Sequence, residues 1–181
     1  TFRWNHLFSK KLFSNTTLLY SKYNYHLGAP EDVNWSFTWD SKLIDYCAKT
    51  DFTWYINPSN TLEFGISSCH HTYDPGKIEG TGEESIFTKY SIKNKHALEH
   101  GIYLSNKQKL TPNLSVKYGL RFAIFQNIGK GTMYSYDDNY EVTDTTQYRS
   151  GEIFNTYMGL EPRLGIKYKI NNRASIKASY S

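Results

Sequence analysis

Leu160, Pro162, Leu164, Ile166, Tyr168 and Ile170 alternate with Glu161, Arg163, Gly165, Lys167 and Lys169. Successive strand side chains point to opposite faces, so this spacing puts every charge on one face and none on the other. After the polar turn Asn171-Asn172-Arg173 the alternation resumes over Ala174 to Ser181. The same segregation recurs upstream. Leu114, Val116, Tyr118, Leu120, Phe122 and Ile124 oppose Ser115, Lys117, Gly119, Arg121 and Ala123; Leu98, His100, Ile102 and Leu104 oppose Glu99, Gly101 and Tyr103. Leu62, Phe64 and Ile66 oppose Glu63, Gly65 and Ser67, and Ile44 to Ile56 oppose Asp45 to Tyr55 in the same way. Phe2, Trp4, His6 and Phe8 mark a first strand, and Thr16 to Leu27 a second, with Leu19, Tyr23, Tyr25 and Leu27 against Lys22, Asn24 and His26. The pattern predicts an all-β fold, an antiparallel up-and-down meander of about eight strands.

The connections sort by length. Those after the first, third, fifth and seventh strands are short, with polar turn residues such as Ser9-Lys10-Lys11 and Asn57-Pro58-Ser59-Asn60. The others are longer, and two of them, about 73–93 and 126–156, are predicted as long loops rich in Gly, Tyr and acids. Short and long connections therefore lie at opposite ends of the sheet, the arrangement of an outer-membrane β-barrel. A soluble lipocalin-like barrel, with its apolar face inward, has the same alternation, so periodicity alone does not say which face is which. On the membrane reading Lys49, Asp51, Glu63, Glu99, Lys117, Arg121, Glu161, Arg163 and Lys167 face the lumen, where mixed charges suit a water-filled or plugged interior. A small closed barrel of about eight strands with a structural or adhesive role is a second membrane alternative; it needs the last strand to pair with the first.

Composition moves the balance towards lipid. Aromatic residues make up 17% of the 181 positions, with 16 Tyr, while mean hydropathy is negative at −0.63. Tyr and Trp are apolar in body and polar at the tip, which suits the two membrane interfaces. The longest apolar run is a few residues, too short for a spanning helix. The net charge of +4 comes from Lys and Arg interleaved with Asp and Glu, so no nucleic-acid partner is expected. The absence of an opening Met and of a leader, and a final strand pattern still running at Ser181, predict an internal fragment of a longer chain.

Candidate chemistry is sparse. His70-His71 beside Cys69 invite a metal, but adjacent strand residues point to opposite faces, so polar rim residues are expected and no metal. Cys47 and Cys69 fall nearly opposite each other on the charged face if the chain turns at Pro58. A compartment beyond the inner membrane permits a disulfide, but direct cross-strand geometry is awkward for one, and both states stay open. Asp45, Asp51, Glu63, Glu99 and Glu161 lie among Lys and Arg and read as a lumen network rather than a catalytic pair. No nucleophile elbow, catalytic triad or phosphate loop is present, so no enzyme and no cofactor are expected. Asp74, Glu79, Glu83 and Glu84 do not match the spacing of a calcium-binding loop. Tyr134, Tyr136, Asp137, Asp138 and Tyr140 combine stacking faces with carboxylates, which suits a sugar or a cationic group; a solvated loop with Tyr anchoring its base is the equal alternative. With Glu83 and Glu84 they form the candidate ligand-binding set of the long loops.

The segments Lys117-Tyr118-Gly119-Leu120-Arg121, Tyr157-Met158-Gly159-Leu160-Glu161-Pro162-Arg163-Leu164-Gly165 and Ile176-Lys177-Ala178-Ser179-Tyr180-Ser181 resemble the barrel of TonB-dependent outer-membrane receptors. The group is the outer membrane protein β-barrel one, with an N-terminal carboxypeptidase-like regulatory domain. Asn60-Thr61-Leu62-Glu63-Phe64-Gly65 and His70-His71-Thr72-Tyr73-Asp74-Pro75-Gly76 fit the same resemblance, which covers essentially all of the chain. It implies residues 1–181 of a large barrel in a Gram-negative outer membrane, with plug domain, signal peptide and remaining strands outside the fragment. The implied partners are outer-membrane lipid, the receptor's own plug, TonB and a small-molecule or oligomeric nutrient; the implied activity is energised import.

Overall fold

The computed structural model describes residues 1–29, 34–81 and 85–181. Eleven strands follow in chain order: β1 (Phe2–Ser9), β2 (Leu12–Gly28), β3 (Phe37–Asn57), β4 (Asn60–Gly80), β5 (Tyr90–Ser91), β6 (Lys95–Lys109), β7 (Leu114–Ile128), β8 (Gly131–Tyr136), β9 (Val142–Tyr148), β10 (Ile153–Lys169) and β11 (Ser175–Tyr180). The main sheet is an antiparallel meander in the order β1-β2-β3-β4-β6-β7-β10-β11, with β5 beside β4; β8 and β9 form a separate hairpin. No ladder among the described residues joins β1 to β11. The sheet is open among the described residues.

All four short turns share one device. Ser9 Oγ accepts hydrogen bonds from the amides of Lys11 and Leu12, Asn57 Oδ1 from Ser59 and Asn60, Thr111 Oγ1 from Asn113 and Leu114, and Asn171 Oδ1 from Arg173 and Ala174. The short side-chain oxygen closes the turn on itself, which is why Ser, Asn and Thr stand at these positions.

Register carries each face across the sheet. Thr50, Ile66, Ile102, Phe122 and Leu160 stand in one row, and Phe52, Phe64, Leu104, Leu120 and Pro162 in the next towards the short turns. Residues of the opposite parity give Asp51, Gly65, Tyr103, Arg121 and Glu161 in a single row on the other face. The outward positions of β3 carry no charge from Ile44 to Ile56, nor do those of β4 from Leu62 to Thr72. Allowing about 3.3 Å per residue and a tilt of roughly 40°, that band is about 30 Å tall, the height of a bilayer core. The first outward charge, Lys22, stands opposite Ile44 in its last row, and Lys42 and Asp74 come just beyond it, with Lys42 Nζ 3.2 Å from Asp74. Tyr20 and Tyr46 pair across strands at its edge, their rings 5.1 Å apart, as an interfacial girdle requires.

The two faces differ in shelter. Ile66 and Ile102 are 59% and 56% exposed, whereas the side chains of Asp51 and Arg121 are 29% and 27% exposed. The charged face is the sheltered one, contrary to a lipocalin-like carrier.

Three expectations need correction. The strands run further than the hydrophobic pattern: β2 begins at Leu12, β3 at Phe37, and β4 continues to Gly80 through what read as loop. Above the membrane both faces of a hairpin meet water, so backbone pairing alone holds it and no alternation is needed. Pro75-Gly76 is accommodated there by a register shift between Asp40 and Lys42, with Gly76 at φ 120° and the Trp39 indole donating to Pro75 O at 2.9 Å. In β2, Leu19, Tyr23, Tyr25 and Leu27 lie on the lumen side and Lys22, Asn24 and His26 outward, because pairing with β3 sets the faces. The second long loop contains the β8–β9 hairpin, whose short alternating Thr and Tyr positions lack an apolar face.

Candidate functional site

The charged face is built on residues that lie flat. Tyr103 opposes Gly65, and its ring crosses that position to donate from its hydroxyl to Asp51 Oδ1 at 2.7 Å, one strand further on. A Cβ on Gly65 would stand 2.8 Å from the ring and 2.6 Å from Thr50 O, so only glycine admits this path. Arg121 passes over Gly101 in the same manner, and a Cβ there would meet its guanidinium at 2.9 Å.

Arg121 belongs to a chain of alternating acidic and basic side chains across five strands. His71 Nδ1 is 2.8 Å from Asp45 and its Nε2 3.8 Å from Glu99. Arg121 Nη2 is 3.2 Å from Glu99 and its Nε 3.8 Å from Glu161, which accepts from Arg163 at 3.0 Å. Nearer the short turns Lys49 pairs with Asp51 at 3.0 Å and Lys117 with Glu63 at 2.5 Å. All nine positions read from the sequence as lumen-facing share this face, and ion pairs join eight of them into pairs or runs; Lys167, near the short turns, stands opposite Lys177. Asp45 joins as the sequence reading placed it, whereas His71 and Tyr103 complete the network and were missed as members. The signal was available, since each has the parity of an assigned neighbour.

Cys47 and Cys69 are direct register partners on the same face, Cα atoms 4.1 Å apart, and form a disulfide. His70 turns outward, its ring 5.7 Å from that of His96, while His71 turns inward.

At the long-connection end Tyr134 and Tyr136 lie on one face of the β8–β9 hairpin with Thr132 and Thr145. Asp137 Oδ1 closes its tip by accepting from the amides of Asn139 and Glu141. Tyr140 is held at φ 63°, a left-handed conformation that bulky residues rarely adopt, and is 87% exposed. Asp138 is exposed beside it. Glu83 and Glu84 lie outside the described residues. Below the hairpin, two neighbouring connections are laced together: Ser85 Oγ donates to Ser36 O at 2.6 Å and Ile86 N to Asn34 O at 2.8 Å. Glu79 is gripped by Lys77 at 2.5 Å and Lys89 at 2.8 Å, and those hydrogen bonds hold its carboxyl below the ordinary Glu range while raising Lys89.

Comparison with known proteins returns an outer-membrane barrel. The profile described as outer membrane beta barrel domain matches residues 78–181, more than half of the chain. The chain belongs to that family. This outer-membrane domain also shares the fold of a solved structure, the open form of the ferric-catecholate import receptor Fiu from E. coli K12, with a TM-score of 0.55 at 14% identity. The match covers 98% of this chain and 34% of that one, so the barrel domain spans about a third of the receptor's length. No curated protein matches its sequence.

Proposed function

We propose that this outer-membrane barrel domain is part of an active-transport receptor, which binds a nutrient at the long-connection end and imports it through a plugged lumen energised by TonB. The observation that carries the reading is the segregation of faces: an uncharged band of bilayer height backs a sheltered wall of ion pairs, which suits a wide lumen holding polar contents. The fold shared with an import receptor supports passage rather than reaction. The β8–β9 hairpin, with Tyr134, Tyr136 and Tyr140 beside Asp137 and Asp138, is the proposed ligand contact; Glu83 and Glu84 are proposed to join it. Lys49, Asp51, Glu63, Glu99, Lys117, Arg121, Glu161, Arg163 and Lys167 are proposed to face the plug.

The test follows depletion of solutes from the medium by cells with and without the full-length receptor. A solute removed only by receptor-bearing cells, and retained when TonB is absent or the proton gradient is collapsed, is the expected outcome. Deleting the hairpin from Gly131 to Tyr148 is expected to abolish removal while leaving the barrel assembled. Depletion that persists without TonB would overturn energised import.

A further inference from the structure

The short-turn end of the lumen wall carries more lysine than its own carboxylates balance. Lys107 stands directly opposite Lys117, and Lys167 directly opposite Lys177. Like charges placed opposite each other across a ladder are unfavourable, so two such pairs side by side need a counter-charge. Lys109 shares this face two residues further along β6. Glu63, bound to Lys117, is the one carboxylate lining the groove of about 510 Å³ that the five lysines share.

The floor between them is made of small residues. Gly165 opposes Lys117 and is followed across the sheet by Ser179, while Ser115 separates Lys109 from Lys167. Neighbouring strands lie about 4.8 Å apart, so the ammonium groups can converge on charges spaced by one or two strands. Backbone amides of β6, β7 and β10 here are committed to ladders, and no arginine fork among the described residues lines the groove. Recognition must then rest on charge number, because lysine acts as a mobile point charge.

We propose that this strip is a binding site for a multiply charged anionic solute, one bearing several phosphate or carboxylate groups, at the short-turn end of the lumen. The inference uses the reading of the charged face as a water-filled lumen; binding is measured without transport, so import can fail while the site stands, and the reverse.

The full-length receptor in neutral detergent is titrated calorimetrically with tripolyphosphate and, separately, with orthophosphate. Tripolyphosphate binds more tightly, and added salt weakens it by screening. The double variant Lys107→Gln, Lys177→Gln, which removes one charge from each opposed pair, loses affinity by about tenfold or more, whereas Lys107→Arg, Lys177→Arg retains it. Lys10→Gln, at the same end but off the strip, is unchanged. Equal weakening by Lys10→Gln, or equal binding of the two phosphates, overturns the proposal. So does absence of lysine-dependent binding, which assigns the strip to an acidic segment of the receptor itself.

Discussion

Tyr103 lies flat because position 65 has no side chain, and that single absence lets a phenol on β6 reach a carboxylate on β3. Gly65→Val places a branched side chain against Thr50 O and the Tyr103 ring, so the tyrosine must lift into the lumen. The expected cost is about 1–3 kcal/mol from overpacking, together with loss of the Tyr103–Asp51 hydrogen bond. Tyr103→Phe alone is expected to cost about 1 kcal/mol. In the Gly65→Val background it is expected to cost nothing further, so the double-mutant cycle from denaturant unfolding reads the coupling directly. Additive effects would mean that the ring does not depend on the glycine. Glu79 gives a second residue-scale test. Its carboxyl is held below its usual range by Lys77 and Lys89, so the clasp contributes above the ordinary Glu pKa and is lost as pH falls through the lowered value. Proteolysis of the connection after Gly80 is expected to quicken on that acid side, and Glu79→Gln to be fast at all pH values.

At the scale of elements, the four short turns and the disulfide fix neighbouring strands against slipping. Asn171→Ala removes the acceptor of two amides and is expected to destabilise the β10–β11 hairpin by about 1–2 kcal/mol, seen as faster hydrogen exchange at Ile170, whose amide donates to Ala174 O. The Cys47–Cys69 bond links β3 to β4 over a sequence separation of 22. Reduction is expected to cost about 3 kcal/mol if chain entropy governs it, measured as a lower heat-unfolding temperature with reductant and no change in the Cys47→Ser, Cys69→Ser variant. The parity of these elements was legible wherever one face meets lipid, because an uncharged row such as Ile44 to Ile56 tolerates no slip. It faded where both faces meet water: the upper halves of β2 and β4 are held by pairing with β3, and pairing leaves no periodic mark. The disulfide is an intermediate case. Alternation brought both cysteines to one face, but pairing of β3 with β4, which sets them directly opposite, is what decides between bond and free thiols.

Among the described residues the sheet ends in β1 and β11, each paired on one side and presenting on the other a row of free amide and carbonyl groups. Within hydrocarbon each such group costs several kcal/mol, so a sheet spans a bilayer only when both edges are satisfied. We expect further strands of the receptor to flank β1 and β11 and close the lumen around the ionic wall. Residues 1–181 refolded alone in detergent are then expected to associate through these edges, with rapid amide exchange along Phe2–Ser9 and Ser175–Tyr180 in whatever monomer remains. In the full-length receptor the same amides should be among the slow ones. The central strands provide the internal reference: β4, flanked by β3 and β6, is paired on both sides and should exchange slowly in both preparations. A monodisperse fragment with protected edges would show that the eight-strand path closes on itself, and would remove the wide lumen on which import depends.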